Sequence, residues 1–314
     1  MLDLEKWVAR GNNAIRDVWA FNLEEEFRNI SNITDICPFV AMDTEFPGIV
    51  ARPLGQFRTT RDFYYQTLRC NVNLLKIIQL GITLVDENGN PPPYGPSTWQ
   101  FNFRFCLTQD VYAQDSIDLL TASGINFEKF ESDGVDATVF AQHFTSSGLV
   151  LTPDISWLSF HSGYDFCYIV KALIGENLPA TEDEFFELVH RFFPNLYDIK
   201  YILKHCERIS HEIGLDALAE AFALKRIGPA HQAGSDSLLT ALCFFKYVRE
   251  ICADGDLPMH RAGVIYGLGE DNQSAGALAA QSAESCNAEF VEQAAATAEQ
   301  VSNSVTAWDT PEYV

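Results

Sequence analysis

The spacing of apolar residues changes period several times along this chain, and each change marks an element. Residues 12–34 place Ile15, Val18, Trp19, Phe27 and Ile30 near helical spacing, which predicts one amphipathic helix. PFVAMDTEF (38–46) is short and apolar and ends in acids, the pattern of a buried strand. KIIQLGITLVD (76–86) and TWQFNFRF (98–105) are rich in β-branched and aromatic residues, and the turn-dense ENGNPPPYGP between them predicts a hairpin. Residues 115–147 read as short helices. ISWLSF (155–160) predicts a further strand, followed by a helix from near Asp165 to Gly175. EDEFFELVHRFF (182–193) has helical period, NLYDIK (195–200) is a last short strand, and helices are expected near 215–224 and 235–252. A hairpin followed by strands that alternate with helices predicts an α/β fold, a mixed central sheet flanked by α-helices.

Composition changes this picture at one end. After YGLGED the chain becomes rich in Ala, Ser, Gln and Glu, and from Glu270 onward it holds eight acids and no Lys or Arg. The expected organisation is one domain over 1–269 and an acidic tail over 270–314, disordered or weakly helical near 287–301. With 314 residues, 47% of them hydrophobic, the chain can bury a sizeable core. The tail accounts for −8 of the formal charge of −22, leaving −14 on residues 1–269. That balance excludes nucleic-acid binding through general basic charge, so any contact with RNA must be local, through bound cations and a few arginines. The eight cysteines form no CxxC pair and no Cys/His zinc spacing. No stretch is apolar enough to cross a membrane, and MLDLEKWVARG has no apolar signal region. The expectation is an intracellular protein, cytoplasmic and nuclear.

The candidate chemistry lies in four acids and one histidine: Asp43, Glu45, Asp165, Asp236 and His231. Each acid stands at the edge of an apolar segment, where a core element can carry it inward while its tip stays near water. Carboxylates that converge repel one another, and a divalent cation is the usual remedy. Asp43 and Glu45 share one face of their strand because strand side chains alternate. Spacing alone does not single them out, since Asp3 and Glu5 have the same spacing, but only Asp43 follows a buried strand, where an unpaired acid is costly. His231 precedes Asp236 by five residues. His211 and Asp216 repeat that spacing and read better as a loop and a helix start, whereas HQAGSDS places small residues before a long apolar helix. Asp165 also suits a helix N-terminus. Arg52, Arg58, Arg61, Arg69 and Lys76, interspersed with Phe57, Phe63, Tyr64 and Tyr65, read equally as a phosphate-contacting surface or as a solvated loop. No P-loop, GxSxG or GxGxxG stands in a strand–helix context.

At these residues the chain resembles a known family. MDTEFPGIVARP, RCNVNLLKIIQLG, TWQFNFRF, YAQDSIDLL, SGLVLTPDISWLSFHSGYDF, NLYDIKYI, RIGPAHQAGSDSLLTALCFFK and YGLG, in order from about Ile15 to Gly269, resemble the Caf/Pop-type deadenylases. These are catalytic subunits of the eukaryotic Ccr–Not complex within the DEDD exonuclease superfamily. The resemblance implies an RNase-H-like fold and 3′–5′ removal of mRNA poly(A) with release of 5′-AMP. It implies Asp43, Glu45, Asp165 and Asp236 as ligands of two Mg²⁺ ions, with Mn²⁺ also supporting activity, and His231 as the histidine of the DEDDh subclass. Phe46 and His161, which flank the acids, are candidate substrate contacts. Expected partners are the mRNA 3′ tail, a large scaffold subunit and a second nuclease, with no membrane. The alternatives are an assembly subunit, with LRCNVNLL (68–75) and the tail serving partners, or an exonuclease with a broader single-stranded substrate. The chain departs from the family pattern at HEIGLDALAE (211–220), where a Gly-Gly-Leu is usual, at Cys167, where Gly is usual, at Asn73, where Asp is usual, and in its acidic tail.

Overall fold

The computed structural model describes residues 4–252, Pro258 and 261–269. The expectations for 270–314 lie outside the described residues. Among these, six strands form one sheet: β1 (Ile15–Val18), β2 (Phe39–Glu45), β3 (Gln79–Val85), β4 (Thr98–Asn102), β5 (Ser156–Ser159) and β6 (Asn195–Asp198). Their order is β1-β4-β3-β2-β5-β6, with β3 antiparallel to both its neighbours and the other pairs parallel. The helices are α1 (Leu4–Arg10), α2 (Leu23–Ser31), α3 (Thr60–Leu74), α4 (Gln114–Ala122), α5 (Phe127–Asp133), α6 (Ala137–Ser146), α7 (Gly163–Ile174), α8 (Glu182–Phe192), α9 (Ile199–Leu203), α10 (Leu215–Ala221) and α11 (Ala233–Ile251). This is the expected RNase-H-like α/β architecture, with the β3–β4 hairpin in place. No helix of the described residues is long and apolar enough to cross a membrane.

Alternation along β2 decides what each face of the sheet meets. Val40 and Met42 pack into a core with α3, α6, α7 and α8; Phe39 and Ala41 pack into a second core with α9, α10 and α11. The same alternation carried to the strand end sends Asp43 and Glu45 toward α11, and Thr44 and Phe46 toward α7.

Two segments differ from the sequence reading. Residues 12–34 are not one helix: Ile15–Val18 pair with Thr98–Phe101 as an edge strand, and α2 begins only at Leu23. Asn22 closes the turn between them, accepting from the Trp19 amide at 2.7 Å and donating to the Asp17 carbonyl at 3.1 Å. The basic and aromatic segment after β2 is half helix. Thr59 caps α3 by accepting from the Asp62 amide at 3.0 Å, and Tyr65, Leu68 and Val72 bury its inner face. Its cations are mostly committed: Arg61 to Glu182, Arg69 to the Leu178 carbonyl and Lys76 to Asp110. Arg52 and Arg58 stay exposed.

The departures from the family pattern that fall here are absorbed locally. Asn73 accepts from the Leu178 amide at 2.9 Å, and Cys167 is fully buried in the α7 core. The helix predicted to end at Gly175 ends there, with that residue left-handed at φ 69°.

Helix α11 lies directly on β3, and Gly81 makes the approach possible. A Cβ at that position would collide with the Ala233 carbonyl at the first residue of α11. Gln79 accepts from the Ala233 amide, Gln100 from the Gly234 amide, and Thr83 bonds Ser237, so the helix start is fixed to the sheet. Gly81 is also the register partner of Asp43. Replacing Gly81 by Ala is expected to destabilise the protein by about 1–3 kcal/mol through forced overpacking and to lower activity by moving Asp236 off its mark. Urea denaturation midpoints and turnover, measured together, check it.

Candidate metal centre

Two elements bring three of the four acids to one point, and a third sets Asp165 beside them. Asp43 and Glu45 project from the C-terminal end of β2, and Asp236 projects from the first turn of α11 across the same face of the sheet. One carboxylate oxygen from each of the three lies within 4.8 Å of the others. Asp165 stands in the first turn of α7, on the opposite side of β2, and is tied to the strand by the Thr44 hydroxyl, which donates to its Oδ1 at 2.7 Å. Thr44 therefore does on one face what Asp43 and Glu45 do on the other: it fixes an acid at the strand end.

The electrostatics follow from this crowding. Burial, then Asp236 and Asp165, push the Asp43 and Glu45 carboxyls well above the ordinary range. Burial pushes Asp165 up to about 7, against the hydrogen bond from Thr44. Burial also raises Asp236, opposed by the Arg226 guanidinium. A cluster so placed must take up protons or a cation. Its donors are hard carboxylate oxygens with no sulfur or imidazole among the three that converge, the set that suits Mg²⁺ or Mn²⁺ rather than zinc or copper.

His231 stands just before α11 with a left-handed backbone, φ 56°. Its ring is exposed, within electrostatic reach of Asp236 but in no hydrogen bond with the acids. Phe46 continues β2 past Glu45 and stacks on Tyr164 at 4.7 Å between ring centroids, with Tyr168 behind. It forms an aromatic wall beside the acids. His161 also has a left-handed backbone, φ 58°, and its ring meets Tyr266 edge-on.

Three residues escaped the sequence reading. Thr44 lay inside the Asp-Thr-Glu string and looked like a spacer. Asp198 ends β6 and is wholly buried; its carboxylate accepts from the amides of His161, Ser162, Lys200 and Tyr266 and from the Ser162 hydroxyl, at 2.9–3.1 Å. It thus fixes the loop that leads into Asp165 and the segment that follows α11. Arg226 donates to Asp236 Oδ1 at 2.6 Å.

Comparison with known proteins shows the family. The model of the "CAF1 family ribonuclease" matches residues 18–143 and 150–244, more than half of the chain. The "Poly(A) ribonuclease pop2" of Schizosaccharomyces pombe is 49% identical over 255 residues, spanning 81% of this chain and 75% of that protein. The solved structure of S. pombe Pop2p in its Mg²⁺ and Mn²⁺ bound form superposes with a TM-score of 0.78 at 49% identity, over 81% of this chain and all of that one. CAF1 co-crystallised with the yeast NOT1 MIF4G domain is also similar, with a TM-score of 0.69 at 34% identity over 80% of this chain and 96% of that one. The chain belongs to the CAF1 family of ribonucleases.

Proposed function

We propose that this chain is a metal-dependent 3′–5′ exoribonuclease that shortens the poly(A) tails of mRNA and releases 5′-AMP. The observation that carries the reading is the convergence of Asp43, Glu45 and Asp236 oxygens within 4.8 Å, with Asp165 beside them. Divalent ions held by these carboxylates would supply Lewis-acid stabilisation of the scissile phosphate and lower the pKa of a bound water. Asp43, Glu45 and Asp236 would hold the metal through their converging oxygens, and Asp165, beside them, would complete the set. His231, exposed at the mouth, orients the attacking water and takes its proton. The exposed position of its ring implies a swing inward when RNA is present, since catalytic hydrogen bonds tighten on substrate binding. Phe46 offers its ring to the terminal base, and stacking of this kind is worth about 1–3 kcal/mol per base. His161, in the loop that leads into α7, is a further candidate contact for RNA. Arg52 and Arg58 are among the exposed cations available to the RNA backbone.

The adenine preference is supported by the relative named as a poly(A) ribonuclease. The similarity to CAF1 crystallised with NOT1 supports a scaffold subunit of the Ccr–Not complex as partner. A second nuclease in the same assembly, and action in both cytoplasm and nucleus, belong to the same proposal. A subunit kept only for assembly has no need of three converging acids with a fourth beside them.

The test is product analysis. With Mg²⁺ or Mn²⁺, an oligo(A) RNA is expected to yield 5′-AMP and chains shortened from the 3′ end, and to be left intact in EDTA. Replacing His231 by Ala should lower kcat by about 10²–10⁴-fold, the usual weight of general acid–base catalysis. Nucleoside 3′-monophosphates or internal fragments would contradict the reading.

A further inference from the structure

We propose that Arg226, itself held by Asp216, is a positioning residue that sets the carboxylate of Asp236 for metal binding. The inference rests on the metal-centre reading above and adds two residues to it.

Each acid of the cluster needs something to aim it. Asp43 and Glu45 are aimed by the strand that carries them, and Asp165 by the Thr44 hydroxyl. Asp236 comes from a helix on the far side of the gap, and its orientation is set by two donors. The Arg226 Nη1 reaches Oδ1 at 2.6 Å, and the Gln232 amide reaches Oδ2 at 3.2 Å. A carboxylate has about four lone-pair sites, so each oxygen keeps one for a cation. Arg226 and a metal ion therefore share Asp236 instead of excluding each other.

The guanidinium is held as a planar fork between two acids. Nη1 also donates to the buried Ser235 hydroxyl at 3.0 Å, while Nε and Nη2 donate to Asp216 Oδ1 at 3.0 and 2.6 Å. Asp216 lies in the first turn of α10, and Arg226 lies in the connection to α11. That connection is drawn tightly over the first turn of α11: Ala223 is left-handed at φ 53°, and Gly228, at φ 88°, sits against Ser235. The Asp236 and Arg226 side chains are 12% and 16% exposed, whereas that of Asp216 is 67% exposed. An exposed acid paired in this way contributes little to stability by itself. Its consequence is directional: with Nε and Nη2 engaged by Asp216, only the Nη1 corner points at Asp236. Partners that orient a metal ligand in this manner typically govern affinity by about 10–100-fold.

The experiment measures Mn²⁺ binding to the full chain by calorimetry, without RNA, beside the metal dependence of turnover. Arg226→Met should weaken Mn²⁺ binding by about 10–100-fold and raise the half-saturating metal concentration in the same proportion. The KM for oligo(A) at saturating metal should stay at the wild-type value. Asp216→Asn should shift both metal readouts in the same direction by a smaller factor, and Arg226→Lys should restore part of the loss. If Arg226→Met fails to fold, the exposed Asp216→Asn decides. Wild-type Mn²⁺ affinity in folded variants overturns the proposal, and so does an altered KM at saturating metal, which would make Arg226 a substrate contact. Absence of Mn²⁺ binding by the wild-type protein would instead overturn the metal-centre reading on which the proposal rests.

Discussion

Asp43→Asn is expected to abolish RNA shortening and, in the absence of metal, to make the protein more stable. The two effects have one cause. Asp43 lies amid Glu45, Asp165 and Asp236, and burial together with those neighbours disfavours its ionised form. Asparagine keeps the shape and removes the charge, so repulsion falls in the metal-free protein. A carboxylate that would hold the metal is lost at the same time. Turnover should drop by at least about 10³-fold, equivalent to about 4 kcal/mol of transition-state stabilisation. Wild-type protein at Mg²⁺ concentrations about 100-fold above its Kd should gain about 2.7 kcal/mol, and this gain should vanish in Asp43→Asn. Thermal melts of both proteins, in EDTA and in Mg²⁺, read all of this together. An Asp43→Asn protein that melts lower than wild type in EDTA would mean that the carboxylate has a favourable partner in the folded state, and the account of a repulsive cluster would be wrong.

The same cluster makes metal stabilisation depend on pH, and the sign is fixed. Asp165 titrates near 7 in the folded chain, and Asp43, Glu45 and Asp236 are also raised, against about 4 for an unfolded carboxyl. The folded state thus binds more protons than the unfolded one across this interval. The stabilisation that Asp165 contributes as a protonated acid is complete below about pH 4 and is lost as pH rises through about 7, and the other three acids act in the same direction, so without metal the cluster becomes progressively more costly. A divalent cation must displace those protons to bind, so its affinity rises over the same interval. The difference in melting temperature between Mg²⁺ and EDTA is therefore expected to be small at pH 5.5 and to widen toward pH 8, by several degrees if binding contributes about 2–3 kcal/mol there. A difference that is constant or shrinks with rising pH would show that the metal does not replace protons on these acids.

Much of the site was legible because it sits where local patterns are strong. An Asp-x-Glu at the end of an apolar strand fixes a shared face by the pleat alone, and Asp165 and Asp236 both precede long apolar helical patterns. The hairpin was marked by its turn residues. What was missed depends on distance or on ambiguous spacing. Ile15, Val18 and Trp19 fit a helix as well as a strand, and only pairing with β4, more than eighty residues away, decides between them. Helix α3 did carry a local signal: Thr59 three residues before Asp62, then Tyr65, Leu68 and Val72 on one face. Its arginines and aromatics drew attention to a surface reading instead. Asp198 and Arg226 could not be singled out from one sequence, because what distinguishes them is the set of partners that the fold assembles around them. Asp216 shows the same limit: as half of a duplicated His–Asp spacing it looked incidental, yet it lies one arginine away from the metal centre.

The central claim is that these acids run a 3′–5′ exonuclease that stops where adenines end. A 5′-labelled RNA carrying a short 3′ A-tract after a mixed sequence, incubated with Mg²⁺ or Mn²⁺ beside Asp43→Ala, tests it most directly. The account predicts a ladder of single-nucleotide steps that slows at the first residue that is not adenine and is absent with the variant. Shortening that runs through the junction at an undiminished rate would contradict the poly(A) preference, and a wild-type lane left intact with both metals would contradict the catalytic reading itself.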